Sequence, residues 1–368
     1  MPERPIVFSK IILLIVVILP TSLVAQSLPL SHFQHTAWTL QDGAPSQIDA
    51  LAQTKDGYIW LGTVNGLFRF DGVRFEQYKP SRGQQLAHTG IRALTATDDG
   101  GLWIGYTMGD TSFLKDGIIT NHLFHHIKRG GGTVFSIVVD QDRSVWAAAY
   151  EGPLHFVAGK WQDPEEDEGF NIKASYNLYG DNKGTMWLAT DDFVYRLDHG
   201  SKRFVNTGIN GGTDAVFTDG PDGTIWIADR NGLYRVSDQQ RPNRPPRSII
   251  PYKDTATALR FDNTGALWTL GAKTGITRIR QPNDAIKLTP PVIPGDVENF
   301  SLKDGLSSER GLASLKDREG NIWIATSDGL DRFRVMAFNP APLSSSTMPA
   351  PLFRSRFPKQ RSRTLIMY

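Results

Sequence analysis

The sequence contains no cysteine. That excludes a disulfide framework, a thiolate zinc site and a cysteine nucleophile. Long apolar runs are missing as well. Beyond Ile11–Leu19 nothing approaches the roughly 20 apolar residues that cross a bilayer as a helix. A charge excess is also lacking, with 40 Lys+Arg against 38 Asp+Glu. The net charge of +2 comes from the ends: residues 1–25 contribute +1 and residues 337–368 contribute +5, which leaves −4 for the body between them. A mildly acidic body lacks the basic surface that nucleic acid requires. Neither a Gly-x-Ser-x-Gly elbow nor a phosphate-binding glycine loop is found. What is present is apolar material: 40% of 368 residues, enough for a large core and too much for a disordered chain.

The first 25 residues read as an export signal. Arg4 and Lys10 precede nine apolar residues, Pro20 stops them, and Thr21-Ser-Leu-Val-Ala25 offers a small residue at a cleavage point. Leu23 is bulky for the −3 position, so an uncleaved anchor is the alternative. Export places the chain in the periplasm.

Tryptophan exposes a repeat. Trp60, Trp103, Trp146, Trp187, Trp226, Trp268 and Trp323 lie 43, 43, 41, 39, 42 and 55 residues apart, and only Trp38 and Trp161 stand outside the series. Each of the seven follows an apolar residue. Glycine sits three places before in six cases, with Arg143 as the exception. A small residue sits two places after in six, from Gly62 to Ala325, with Leu270 as the exception. Asp-Gly and Asn-Gly pairs mark hairpin turns, because glycine takes the positive φ that tight turns need. The segments that follow, such as Tyr58–Thr63, are β-prone and apolar on both faces, as strands covered on both sides are.

One unit is therefore about four short strands in roughly 40 residues, the size of a propeller blade. The pattern predicts an all-β chain: a seven-bladed β-propeller of four-stranded antiparallel blades over residues 35–336. The tryptophans are structural wedges between blades. Closure is written in a second parallel. Trp38-Thr-Leu-Gln-Asp-Gly-Ala-Pro-Ser46 matches Phe300-Ser-Leu-Lys-Asp-Gly-Leu-Ser-Ser308, so the N-terminal strand should complete blade seven and remove an open edge. Residues 337–368, rich in Pro, Ser and Arg, read as a flexible basic tail.

The phrase Asp56-Gly-Tyr-Ile-Trp-Leu-Gly-Thr-Val-Asn-Gly-Leu-Phe-Arg-Phe-Asp-Gly72 resembles the two-component regulator propeller repeat. So does Asp317–Phe333, with Asp304–Ser308 upstream of it. The resemblance covers about residues 35–336. It implies the periplasmic ligand-sensing part of a membrane sensor whose output is a histidine kinase or diguanylate cyclase. The 35 residues after Phe333 are too few for such a module, so the expectation is a truncated or split sensor, non-catalytic in itself.

Residue chemistry adds little against that reading. His122, His125 and His126 form the one histidine cluster, but in a strand 122 and 126 share a face while 125 opposes them, a poor metal site. Asp163-Pro-Glu-Glu-Asp-Glu168 lacks the alternating ligands and glycine of a calcium loop. No catalytic residue, metal or cofactor is therefore expected. The loops entering each inner strand converge near the channel: Ala44–Gln47, Ala87–Arg92, Gly208–Asp214 and Ser307–Arg310. Gln47, His88, Arg92 and Arg310 are the candidate ligand-binding residues, for a small polar molecule such as a carbohydrate. Two alternatives stay open: an exported propeller enzyme of quinone-dependent dehydrogenase or lyase type, and a protein-interaction scaffold.

Overall fold

The computed structural model describes residues 27–336, apart from residues 82, 128–131, 165–171, 173, 202, 239–248, 253 and 288–295. The leader assigned to residues 1–25 and the tail assigned to 337–368 lie outside the described residues. The described chain is almost entirely strand, with a few 3-10 turns and one four-residue helix, Pro282–Ala285. None of its helices is long and apolar enough to cross a membrane.

Seven antiparallel sheets follow one another along the chain. Blade one sets the pattern: Ile48–Gln53 innermost, then Ile59–Thr63, Gly66–Phe70 and Phe75–Gln77 at the rim. The other inner strands are Ile91–Ala96, Val134–Val139, Asn177–Gly180, Val216–Asp219, Ala256–Phe261 and Gly311–Lys316. Each packs beside the next, and the seventh packs beside the first. The ring is closed.

The latch is the strand Phe33–Thr39. It pairs with Gly329–Val335 over seven positions, from Phe33 opposite Val335 to Thr39 opposite Gly329. Trp38 stacks on Trp323 with ring centroids 5.7 Å apart. The parallel between the two sequence stretches is a parallel in structure. Thr39 and Ser301 each begin a 3-10 turn with a reciprocal cap, from Asp42 and Asp304, and each turn ends in a left-handed glycine, Gly43 or Gly305. The latch begins two residues before the expected boundary at residue 35. The chain ahead of it is also tied down, since Leu30 N–H donates to Glu298 at 2.8 Å.

Blade five departs from the expected four strands. Among the described residues it has three, Val216–Asp219, Ile225–Asp229 and Gly232–Arg235, and the fourth position is held by a single bridge between Leu233 and Ile250.

The tryptophans wedge the blades as their spacing implies. None of the seven is more than 8% exposed. Trp323 packs with Leu51, Leu61 and Phe70 of blade one, and Trp60 packs with Ile91, Ile104 and Leu114 of blade two. The small residue two places on is a clearance. A Cβ added at Gly62 would sit 2.5 Å from Ile91, and one at Gly105 would sit 2.6 Å from Val134. Several indoles are also anchored: Trp60, Trp187, Trp268 and Trp323 donate to Thr54, Asp181, Asp262 and Asp317 at 2.7–3.0 Å, each six residues earlier. Gly220 stands at that position in blade five, and the Trp226 N–H has no partner among the described residues.

Candidate functional site at the channel mouth

The inner strands enclose an axial channel of about 700 Å³ to which all seven blades contribute. A local irregularity builds its mouth. In blades one, two, three, six and seven the register of the inner strand shifts after its first residue. Such a bulge leaves one residue out of the ladder and re-aims it. Those residues are Asp49, Arg92, Phe135, Thr257 and Leu312, and every one lines the channel. Tyr176 and Ala215 stand just ahead of the inner strands of blades four and five and line it too.

One side of the mouth is charged. Asp49 accepts from Gln47 Nε2 at 3.2 Å and faces Arg92 Nη1 at 3.6 Å. Burial pushes the Asp49 carboxyl above its ordinary range, and Arg92, the Gln47 bond and the field of Arg310 offset only part of that. Gln47 itself holds a left-handed backbone, φ 51°, which a residue with a Cβ adopts at a cost. Its N–H donates to Ser327 O at 2.8 Å. The Arg310 loop is clasped to the same turn: Ser327 N–H donates to Arg310 O at 3.1 Å, and the Ser308 and Ser327 hydroxyls lie 2.9 Å apart.

Blades three and four bring aromatic rings to the mouth. Tyr176 is 5.5 Å from Phe135 and 6.3 Å, edge-on, from Tyr150, centroid to centroid. The Tyr176 hydroxyl donates to Asp191. Desolvation and that carboxylate together push the phenol up to about 12, so it remains a neutral donor. Thr213 and Asp214 of blade five complete the rim.

Of the four candidates from sequence, the structure brings together Gln47, Arg92 and Arg310 around Asp49. His88 is not among them. Its Nε2 pairs with Asp110 at 2.9 Å and its ring meets Tyr106 edge-on, so it faces its own blade rather than the channel. The cause is the Asp110 carboxylate, which sits where it captures the imidazole. In the loop expected at Gly208–Asp214, Gly208 belongs to the outer strand Val205–Asn210 and only Thr213 and Asp214 reach the channel. Asp49, Phe135, Tyr176 and Asp214 were missed. A signal existed for the first three: each lies eleven places before a blade tryptophan, as Arg92 does.

The histidine cluster is dispersed. His122 packs against Trp103 and Phe156, and His126 Nε2 bonds to the Trp161 carbonyl at 2.8 Å. Among the described residues no three of His, Asp or Glu converge as metal ligands. A second hollow of about 560 Å³ opens between blades one and seven, at the end of the sheets away from Asp49. Arg332 and Arg334 line it with Asp71, Asp317 and Glu319, a mixture that favours neither sign of charge.

Residues 42–65 match the family model described as two component regulator propeller. The chain carries a two-component regulator propeller repeat. That stretch spans the first latch turn, the Gln47–Asp49 corner and Trp60. Among solved structures, the extracellular domain of the hybrid two-component system BT3049 from B. thetaiotaomicron is similar over 83% of this chain, with a TM-score of 0.66 and 15% identity. The match spans 42% of the length of that chain. Virginiamycin B lyase from Staphylococcus aureus is similar over 83% of this chain and 100% of its own, with a TM-score of 0.61 and 15% identity. YCF48 bound to D1 peptide is similar over 85% and 99%, with a TM-score of 0.59 and 12% identity. At these identities the likeness is one of fold. No curated protein sequence matches the chain.

Proposed function

We propose that this chain is an exported, non-catalytic ligand-binding propeller of a two-component-type sensing system. It takes a small polar molecule at the channel mouth. The observation that carries the reading is the gathering of Gln47, Asp49, Arg92 and Arg310, with Phe135 and Tyr176 on the neighbouring blades, at one end of a closed channel. Binding sites of this kind combine an apolar wall with a few convergent polar groups. The propeller repeat at residues 42–65 and the fold of the sensor extracellular domain support the sensory role.

Both ends of the ring leave together. Phe33 pairs with Val335, and this pair lies at the end of blade seven away from Arg310. A membrane anchor or a kinase or cyclase partner attached through either end would therefore meet the face opposite the mouth, and the mouth would stay open to the periplasm.

A thermal-shift screen over sugars and organic acids, run in parallel on the wild type and an Arg92→Ala/Arg310→Ala variant, tests the reading. A ligand at one hundred times its Kd stabilises a folded protein by about 2.7 kcal/mol. At least one compound should raise Tm in the wild type and not in the variant. Equal stabilisation of both would move the site elsewhere, and quinone-dependent oxidation by the purified protein would favour an enzyme instead.

A second reading has its own observation. Leu40 and Met108 are 67% and 77% exposed on the rim that carries the mouth, with Val64, Tyr150 and Leu302 exposed there too. A protein partner seated on these residues would make the ring an interaction scaffold. Capture of a stoichiometric partner by the wild type and not by Met108→Asp would favour it.

A further inference from the structure

The charge arithmetic of the mouth narrows the ligand, given the reading above. Two guanidiniums, Arg92 and Arg310, share one carboxylate, Asp49. The nearer, Arg92, stands off at 3.6 Å, an ion-pair distance rather than a hydrogen bond. Arg310 acts on Asp49 only through its field, and among the described residues its guanidinium meets no hydrogen-bond acceptor. A guanidinium presents five donors in a fixed fork and prefers a planar two-oxygen partner. Asp49 cannot supply that partner to both, since its side chain is 10% exposed and is held in place by Gln47. Around the channel as a whole Arg92, Arg260 and Arg310 outnumber Asp49 and Asp214 by one, which leaves one positive charge for a ligand.

The remaining walls limit what accompanies the anion. Phe135 and Tyr176 line the channel with two neighbouring rings, tilted 46° to one another, that offer apolar surface to the C–H bonds of a ring. Gln47 beside Asp49 and Thr213 on the channel wall add polar groups that a bare hydrocarbon would leave without partners, at a cost for each one buried. Asp214 of blade five adds a further negative group on the other side of the channel, which disfavours a second carboxylate. The volume of about 700 Å³ lies inside the range of small-molecule sites, roughly 300–1,000 Å³.

We propose that the channel mouth selects a hydroxylated monocarboxylate with one apolar face, that is, a sugar acid. The guanidiniums of Arg310 and Arg92 take the carboxylate and Phe135 and Tyr176 take the ring.

Isothermal titration with galacturonate and glucuronate against galactose and glucose is the test, with phenylacetate as the non-hydroxylated acid. It is run on the whole chain and on Arg310→Ala, Tyr176→Ala and, as a control on the opposite face, Arg334→Ala. A sugar acid should bind at least about tenfold tighter than its neutral counterpart. Arg310→Ala should erase that difference while sparing the neutral sugar, Tyr176→Ala should weaken both, and Arg334→Ala should change neither. Equal affinity for acid and neutral sugar, with both lost in Tyr176→Ala, overturns the acid selectivity and leaves the mouth as a sugar site. Phenylacetate binding without sugar-acid binding overturns the sugar. Binding that survives Arg310→Ala and Tyr176→Ala unchanged overturns both this assignment and the mouth itself, and so does no binding by any of the five compounds at millimolar concentration.

Discussion

Replacing Asp262 with alanine should cost blade six more than any other single side chain it contains. The carboxylate is a hub. Its Oδ2 accepts from Trp268 Nε1 at 2.8 Å and from Arg278 Nη2 and Nε at 2.8 and 3.1 Å. Its Oδ1 accepts from the Thr264 N–H and hydroxyl and from the Ala266 N–H. Asp262 and Arg278 are 2% and 0% exposed, so solvent cannot replace what is lost. Breaking a buried pair by removing one partner costs about 3–5 kcal/mol, because the other charge stays buried. Here Glu298 still holds Arg278 Nη1 at 2.6 Å, and the Leu28 carbonyl accepts from the same nitrogen, so the expected loss is near the lower end, about 3 kcal/mol. At about 2 °C per kcal/mol for a large domain, Tm should fall by about 6 °C. Burial drives the Asp262 pKa up, but the Arg278 guanidinium and the hydrogen bonds from Thr264, Trp268 and Arg278 outweigh it and hold the carboxyl below its usual range. A depressed folded-state pKa stabilises above the ordinary carboxylate value of about 3.9 and loses that contribution as pH falls toward the folded value. Urea unfolding at neutral and at acid pH reads both effects. The gap between wild type and Asp262→Ala should be large at neutral pH and should shrink below about pH 4. A neutral-pH difference under about 1 kcal/mol, or one that widens on acidification, would show that Asp262 is not the hub of blade six.

Gly62→Ala should destabilise the ring by about 1–3 kcal/mol through overpacking, since its Cβ would sit 2.5 Å from Ile91 Cγ2; chemical denaturation reads it. Arg143 takes φ 69° at the turn where the other blades carry glycine. Relief of about 1–2 kcal/mol of left-handed strain, less about 0.5–1 for the freer unfolded chain, predicts that Arg143→Gly gains about 0.5–1 kcal/mol in the same assay. Because burial holds the Asp49 carboxyl above its ordinary range, acidification should neutralise it ahead of ordinary carboxylates and release both guanidiniums, so a carboxylate ligand should bind more tightly as pH falls toward that range. Titration across that range should show the slope in the wild type and none in Asp49→Asn.

The parts of this fold that repeat were readable, and the parts that break the repeat were not. Seven tryptophans with turn glycines before them and small residues after them define the wedges directly, because each blade solves the same packing problem with the same residues. The latch was readable for the same reason: Thr39-x-x-Asp42-Gly43 and Ser301-x-x-Asp304-Gly305 spell one turn twice. The mouth was harder. It is made by bulged residues whose identities differ from blade to blade, Asp49, Arg92, Phe135, Thr257 and Leu312, so no shared residue type flags them. Only their register against the tryptophans gives them away. Arg92 and Arg310 were reached through the loops they stand on. His88 was misplaced because Asp110, 22 positions later, decides where its ring goes, and no local pattern announces that pair. Among the described residues blade five shows three strands and a single outer bridge between Leu233 and Ile250, a departure from the repeat that the tryptophan spacing does not announce.

The mouth exists only if the seven inner strands are held in one circle by Phe33–Thr39. The direct test is thermal and urea unfolding of a chain that begins at Gln41, compared with one that begins at Ser27. Without the strand, Trp38 no longer covers Trp323, Asp331 loses His35 at 2.8 Å, and the edge of Gly329–Val335 is bare. Tm should fall steeply and the single cooperative transition should be lost. An unchanged Tm with an unchanged denaturant slope would contradict closure by this strand.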